Sequence, residues 1–144
     1  MGKTHFSGPI KSGTIREGSG ENSGTVVLSQ SATFDHNQVE VRTPTTIVIP
    51  AGGKIIDIIL ELNAAWNSAT SDSLEIGTAT DQDAFGDVAD IQATGKVAVT
   101  ADQAQVNARD FSFPTDTVIN TQVSETGASA SAGSATLTVL YIQR

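Results

Sequence analysis

Few residues in this chain are of a type that does chemistry, and their spacing assembles no reaction centre. The two histidines are His5, near the start, and His36, beside Asp35 in a turn-forming Asp-His-Asn. Histidine is the side chain best placed to move protons near neutral pH, but neither has a placeable partner, and an Asp-His neighbour pair in a turn is ordinarily solvated. Asp57 and Glu61 are a candidate carboxylate pair for sugar hydrolysis. Four residues along one strand separate them by about 13 Å, whereas glycosidase pairs stand roughly 5–9.5 Å apart. There are no cysteines, so thiol catalysis, disulfides and thiolate metal sites drop out together.

Asp81-Gln82-Asp83-Ala84-Phe85-Gly86-Asp87 opens like a calcium loop, with carboxylates at the first and third positions and glycine at the sixth. The fifth position is Phe85 and the twelfth, which should be a bidentate glutamate, is Gln92. A polar turn anchored by Phe85 is the simpler reading, and no metal or other cofactor is expected. Gly18-Ser19-Gly20-Glu21-Asn22-Ser23-Gly24 neither follows a strand nor opens a helix, so it makes no phosphate cradle. No serine stands in a Gly-x-Ser-x-Gly elbow. Trp66 directly follows the strongest apolar run and either caps the core or offers a platform to a sugar. The chain is therefore expected not to be an enzyme.

The elements that would position these residues are strands. Lys54 to Leu62 is the organising stretch: taken two at a time, Ile56, Ile58, Leu60 and Leu62 fall on one side, and Ile55, Asp57, Ile59 and Glu61 on the other. Ile55, Ile58, Ile59, Leu62 and Trp66 also recur at helical spacing. Four β-branched isoleucines behind Ala51-Gly52-Gly53 favour the strand. Further strands are expected at 25–34 (Val26, Leu28, Ala32 and Phe34 inward), 39–42, 45–49, 74–76, 96–100, 118–124 and 134–144. A single helical turn capped by Asp81 is expected within 81–90, and an edge strand with Phe111 and Phe113 ahead of Pro114. Glu125 to Gly133 reads as a flexible corner.

About eight strands with frequent turns predict an all-β, antiparallel β-sandwich over residues 25–144, with jelly-roll connectivity among the orders that fit. Residues 1–24 carry only Phe6, Ile10 and Ile15 as large apolar side chains among many glycines and read as an extended arm.

A chain of 144 residues can support its own core, and the low apolar share of 38% matches short strands joined by polar turns. Net charge is −8, divided as +1 on the arm and −9 on the body. No Lys or Arg lies between Ile55 and Gly95, a stretch with eight carboxylates. Such a surface disfavours nucleic acid as a partner. No apolar run is long enough for a membrane span or a signal-peptide core, so a soluble chain with no membrane partner is expected.

Four stretches together resemble small virion structural proteins of tailed bacteriophages: Thr4-His5-Phe6-Ser7-Gly8-Pro9, Ile49-Pro50-Ala51-Gly52 leading into an apolar strand, Leu74-Glu75-Ile76-Gly77-Thr78 followed by Asp81-Gln82-Asp83-Ala84-Phe85, and the ending Ala135 to Ile142. The likeness covers most of the chain and is most similar to capsid decoration, or cement, proteins. It implies a β-rich homo-oligomer, typically a trimer, made in the host cytoplasm and bound to the major capsid protein on the outer surface of the virion. Under that resemblance Thr4, His5, Phe6, Pro9 and Ile10 of the arm, with Ile55 and Ile59 on the mixed face of the central strand, are the expected contacts. The alternative is a tail or head fibre domain that binds a host surface glycan through Trp66 or the loops after it.

Overall fold

A computed structural model of the chain describes residues 11–12, 24–38, 41–101, 103–110 and 112–143. Its strands are β1 (Lys11–Ser12), β2 (Gly24–Thr25), β3 (Val27–Asp35), β4 (Thr43–Ile49), β5 (Gly53–Ala64), β6 (Ser71–Gly77), β7 (Gly86–Val88), β8 (Gly95–Val97), β9 (Thr117–Thr126) and β10 (Ser134–Gln143). One helix, α1 (Gln103–Asp110), and a short 3-10 turn (His36–Gln38) complete it. β1 and β2 pair with each other. The other eight strands form two four-stranded sheets, β3-β10-β5-β8 and β4-β9-β6-β7, here sheets I and II. The fold is thus an antiparallel β-sandwich, as the alternating apolar pattern predicts.

The chain winds in a simple way. β3 pairs with β10, β4 with β9, β5 with β8 and β6 with β7, all antiparallel, so the chain is one long hairpin folded back over itself. Within sheets I and II only β6 and β7 are consecutive strands that neighbour each other. The core lies between the sheets. Ala135, Leu137, Val139 and Tyr141 of β10 are buried and meet Phe34, Ala32, Gln30 and Leu28 on one side and Leu62, Leu60, Ile58 and Ile55 on the other. Sheet II contributes Ile47, Ile49, Leu74, Ile76, Ile119 and Val123. Each such side chain contributes about 1.5–3 kcal/mol relative to exposure.

Gln30 is the one polar residue in the inward row of β3. Its amide acts as a peptide does: Oε1 accepts from the Val48 N–H at 2.9 Å, and Nε2 donates to the Val48 carbonyl at 2.7 Å and to the Tyr141 hydroxyl at 2.9 Å. It ties the edge strand of sheet I to that of sheet II and satisfies a main-chain pair on β4.

Several expectations are corrected. In β5 the pairing partner jumps from Asp57 opposite Leu140 to Ile55 opposite Tyr141, which leaves Ile56 as an extra residue in a β-bulge. Asp57 Oδ1 accepts from the Ile58 N–H at 2.8 Å beside it. The bulge reverses the alternation, so Ile55 is buried at 4% exposure and Ile56, expected in the core, is 52% exposed. Of the strand expected at 39–42, residues 39–40 lie outside the described residues, and Val41 and Arg42 are in no strand; they precede β4, which starts earlier than expected and runs through Pro44. Pro44 is tolerated because β4 is a sheet edge and its register shifts between Pro44 and Val48.

Ahead of Pro114, residues 103–110 form α1 where no helix was expected; Phe111 lies outside the described residues, and Ser112 and Phe113 are in no strand. Gln105 Nε2 donates to the Asp83 carbonyl and Arg109 Nε to the Phe85 carbonyl. The helix packs beside β5, which β8 pairs only over Leu60–Leu62. Residues 82–85 are a turn rather than helix, and Thr78 Oγ1, not Asp81, accepts the free amides of Thr80 and Asp81. The corner after β9 is tied down: Asn67 Oδ1 accepts from Ser131 and Ala132, and Glu125 Oε2 from Ala130.

Candidate docking surface

The residues with chemical potential are occupied locally. Asp35 Oδ1 accepts from the backbone and side-chain amides of Asn37, which shapes the turn that holds His36. His5 lies outside the described residues. Phe85, at the fifth position of the calcium-like loop, is 1% exposed and packs edge-to-face on Phe113 at 5.8 Å. Gln92, at the twelfth, turns inward and donates to Asp72 Oδ2 at 3.0 Å. Among the described residues no three His, Asp or Glu side chains converge on one point, and no helix is long and apolar enough to cross a membrane. Trp66 is 1% exposed, packed 6.0 Å from Phe34, so its ring caps the core and is not available as a sugar platform.

The outer face of sheet II carries the one perturbed carboxyl among the described residues, Glu75. Glu75 Oε1 accepts from Gln82 Nε2 at 3.3 Å, while Oε2 is buried without a hydrogen-bond partner. Burial pushes the Glu75 carboxyl above its ordinary value, and Asp83 and Asp87 add to this, against the Gln82 hydrogen bond and Arg42. A carboxyl raised in the folded state binds its proton more tightly there than in the unfolded chain. Its stabilisation is therefore complete below the ordinary glutamate value of 4.5 and is lost as pH rises through the folded value. Glu75→Gln is accordingly expected to raise the melting temperature at neutral pH. The gain should shrink on acidification and vanish below about pH 4.5, as measured by melts across pH.

The distinctive surface is apolar and lies at one end of the sandwich. β3, β5 and β9 start there, and β4 and β10 finish there. On the outer face of sheet I, Val27 of β3 stands opposite Ile142, and the bulge sets Ile56 close to Leu140. Val27 and Ile56 are about half exposed, at 53% and 52%, while Ile59, Leu140 and Ile142 are half-buried. On sheet II, Val48 and Val118 face each other across the β4–β9 ladder and are also exposed. Farther along the same outer face of sheet I the surface turns polar. There Ser31 bonds Thr138 at 2.8 Å and Asn63 Nδ2 donates to Thr136 at 2.9 Å. Scattered apolar side chains need no explanation, but a grouped set at one end is the candidate contact site of this surface.

The expected contact residues divide. Thr4, His5, Phe6, Pro9 and Ile10 lie outside the described residues. Ile59 is on the outer face, and Ile55 is not, because the bulge turns it inward. Ile56, Val27, Val48 and Val118 were missed. The last three sit out of phase with the core of their own strands, a signal that alternation does carry; the bulge at Ile56 leaves no such mark.

No family model and no curated protein matches the sequence. The fold does have counterparts. A chain in the acidic stable capsid structure of Helicobacter pylori bacteriophage KHP30 is similar at a TM-score of 0.57 and 13% identity, over 82% of this chain and 92% of that one. A chain in the capsid asymmetric unit of cyanophage Pam1 is similar at a TM-score of 0.58 and 17% identity, over 94% of this chain and 98% of that one. At these identities it is the fold that is shared, over 82–94% of this chain and 92–98% of the other two.

Proposed function

We propose that this protein is a structural component of a bacteriophage virion that sits on the outer capsid surface and bridges neighbouring subunits of the major capsid protein. The observation that carries this reading is the likeness of its fold, over most of the chain, to chains in two phage capsid structures. The wound-hairpin strand order supports reading the sandwich as a jelly roll. The net charge of −8 suits a shell exterior better than a surface facing packaged DNA, since like charges repel. The apolar end gives a hydrophobic contact of the kind that both a trimer and a shell interface need.

The mechanism is passive and includes no turnover. A protein that binds the expanded shell and not its disassembled subunits lowers the free energy of the shell by mass action, and many copies add up. Particle fractionation and heating test it together. The expected results are copies in the hundreds per particle and a lower heat-release temperature for particles lacking the protein. A handful of copies would place it in a tail or fibre instead, and equal heat stability would remove the cementing role.

A further inference from the structure

The central strand β5 is paired along its whole length on one side, by β10, and only in pieces on the other. At its start the Gly52 N–H donates to the Phe113 carbonyl at 2.8 Å and the Phe113 N–H to the Gly53 carbonyl at 3.2 Å. Near its end β8 pairs with Leu60–Leu62. Among the described residues no strand lies beside 55–59 on that side, and α1 packs against β5 instead. A gap of this kind is one that proteins cover, because bare strand amides and carbonyls are a template for another strand.

The cover is docked at a cost to itself. α1 is eight residues long, shorter than helices that persist alone, and has no apolar stripe: Val106 is 45% exposed, while Ala108 packs on the core. Gln105 and Arg109 donate to the Asp83 and Phe85 carbonyls. The Arg109 guanidinium lies over Gly86, where a Cβ would overlap it, and its Nη2 is buried without a hydrogen-bond partner. Burial pushes this guanidinium below its ordinary value, against the opposing charge of Asp57 on β5. A desolvated donor left unpaired favours the undocked helix, in which water satisfies it. The packing under α1 is also incomplete. A cavity of about 160 Å³ is lined by Ala104, Gln105 and Ala108 of the helix and by Asp81, Asp83 and Ala84 of the loop before β7.

We propose that α1 is a detachable cover of β5, which unwinds and lifts off while both sheets stay folded and so bares the 55–59 edge of the central strand. The sheets survive its departure because the long ladders β5–β10 and β6–β9 are made without it. This goes beyond the virion reading and stands or falls separately from it.

Trypsin reports the opening directly, because Arg109 is the only Lys or Arg between Lys96 and Arg144 and a protease cuts chain that has unwound. In the purified full chain under native conditions, the 110–144 fragment is expected to appear at least about tenfold faster than global unfolding of the same sample allows. Gln105→Ala should speed the cut severalfold. Ile119→Val, in the core between the sheets, weakens the open and covered forms alike, so it should lower the melting temperature and leave the cutting rate within about twofold. Amide exchange at 55–59 should follow the cutting rate across these variants, ahead of exchange in β10. No fragment short of global unfolding, a cutting rate that Gln105→Ala leaves unchanged or that climbs with Ile119→Val, or 55–59 amides that exchange only together with those of β10 would each overturn the proposal.

Discussion

Trp66→Ala is expected to destabilise the protein by about 3–5 kcal/mol, the range for removing a large aromatic from a packed core. The indole is 1% exposed, leans on Phe34 at 6.0 Å and closes the end of the sandwich where β5 leaves sheet I. Its far side is covered by Gly133, whose φ of +149° already disfavours a side chain and whose Cβ, if present, would overlap the indole ring. Gly133→Ala is therefore expected to cost a comparable amount through strain and displacement of the ring. Native domains are stable by roughly 5–15 kcal/mol, so either change removes a large share. Urea titration of the purified variants measures this, with the midpoint falling and the slope unchanged. A loss below about 1 kcal/mol for Trp66→Ala would mean the ring is not the end cap of this core.

The same residues show how far sequence reasoning reaches. Period-two alternation is a local property, so the strands that carry it strongly, around Leu60, Leu74, Val123 and Leu137, are readable without a structure, and the sandwich follows from their number. A bulge shifts that phase by one residue without changing composition. Ile55 and Ile56 are chemically identical, and only the pairing of Tyr141 with Ile55 tells which one is buried. Helix α1 was unreadable for another reason: its sequence Gln-Ala-Gln-Val-Asn-Ala-Arg-Asp has no apolar stripe, and it docks through Gln105 and Arg109 bonds to backbone carbonyls. Polar docking leaves no hydrophobic period to detect. The docking surface was half legible. An apolar central strand with a mixed outer face pointed to sheet I, while the grouping of Val27, Ile56 and Val118 at one end depends on strand order, which no local pattern encodes.

Ile56→Asp is expected to weaken attachment to capsids at least tenfold while leaving the fold intact. The side chain is 52% exposed, so a carboxylate there stays hydrated in the free protein and costs the folded chain little. Covered by a partner, the same carboxylate loses its water beside Leu140 and Ile142 of the neighbouring β10, and Lys54, on the same strand and opposite Ile142, offsets only part of that cost. An unsatisfied buried polar group costs about 1–3 kcal/mol, more when charged, and each 1.4 kcal/mol is a factor of ten in affinity. Val27→Asp should act in the same direction. Ser31→Asp is the control, on the same outer face but in its hydrogen-bonded polar half, and is expected to bind nearly as the parent does. Copies per particle after incubation with stripped capsids give the affinity change, and the mass of the free protein in solution separates loss of self-association from loss of shell binding. Equal occupancy for Ile56→Asp and Ser31→Asp would move the contact away from the apolar end. Because the substitution spares the core, a fall in occupancy with an unchanged melting temperature assigns its effect to the surface alone.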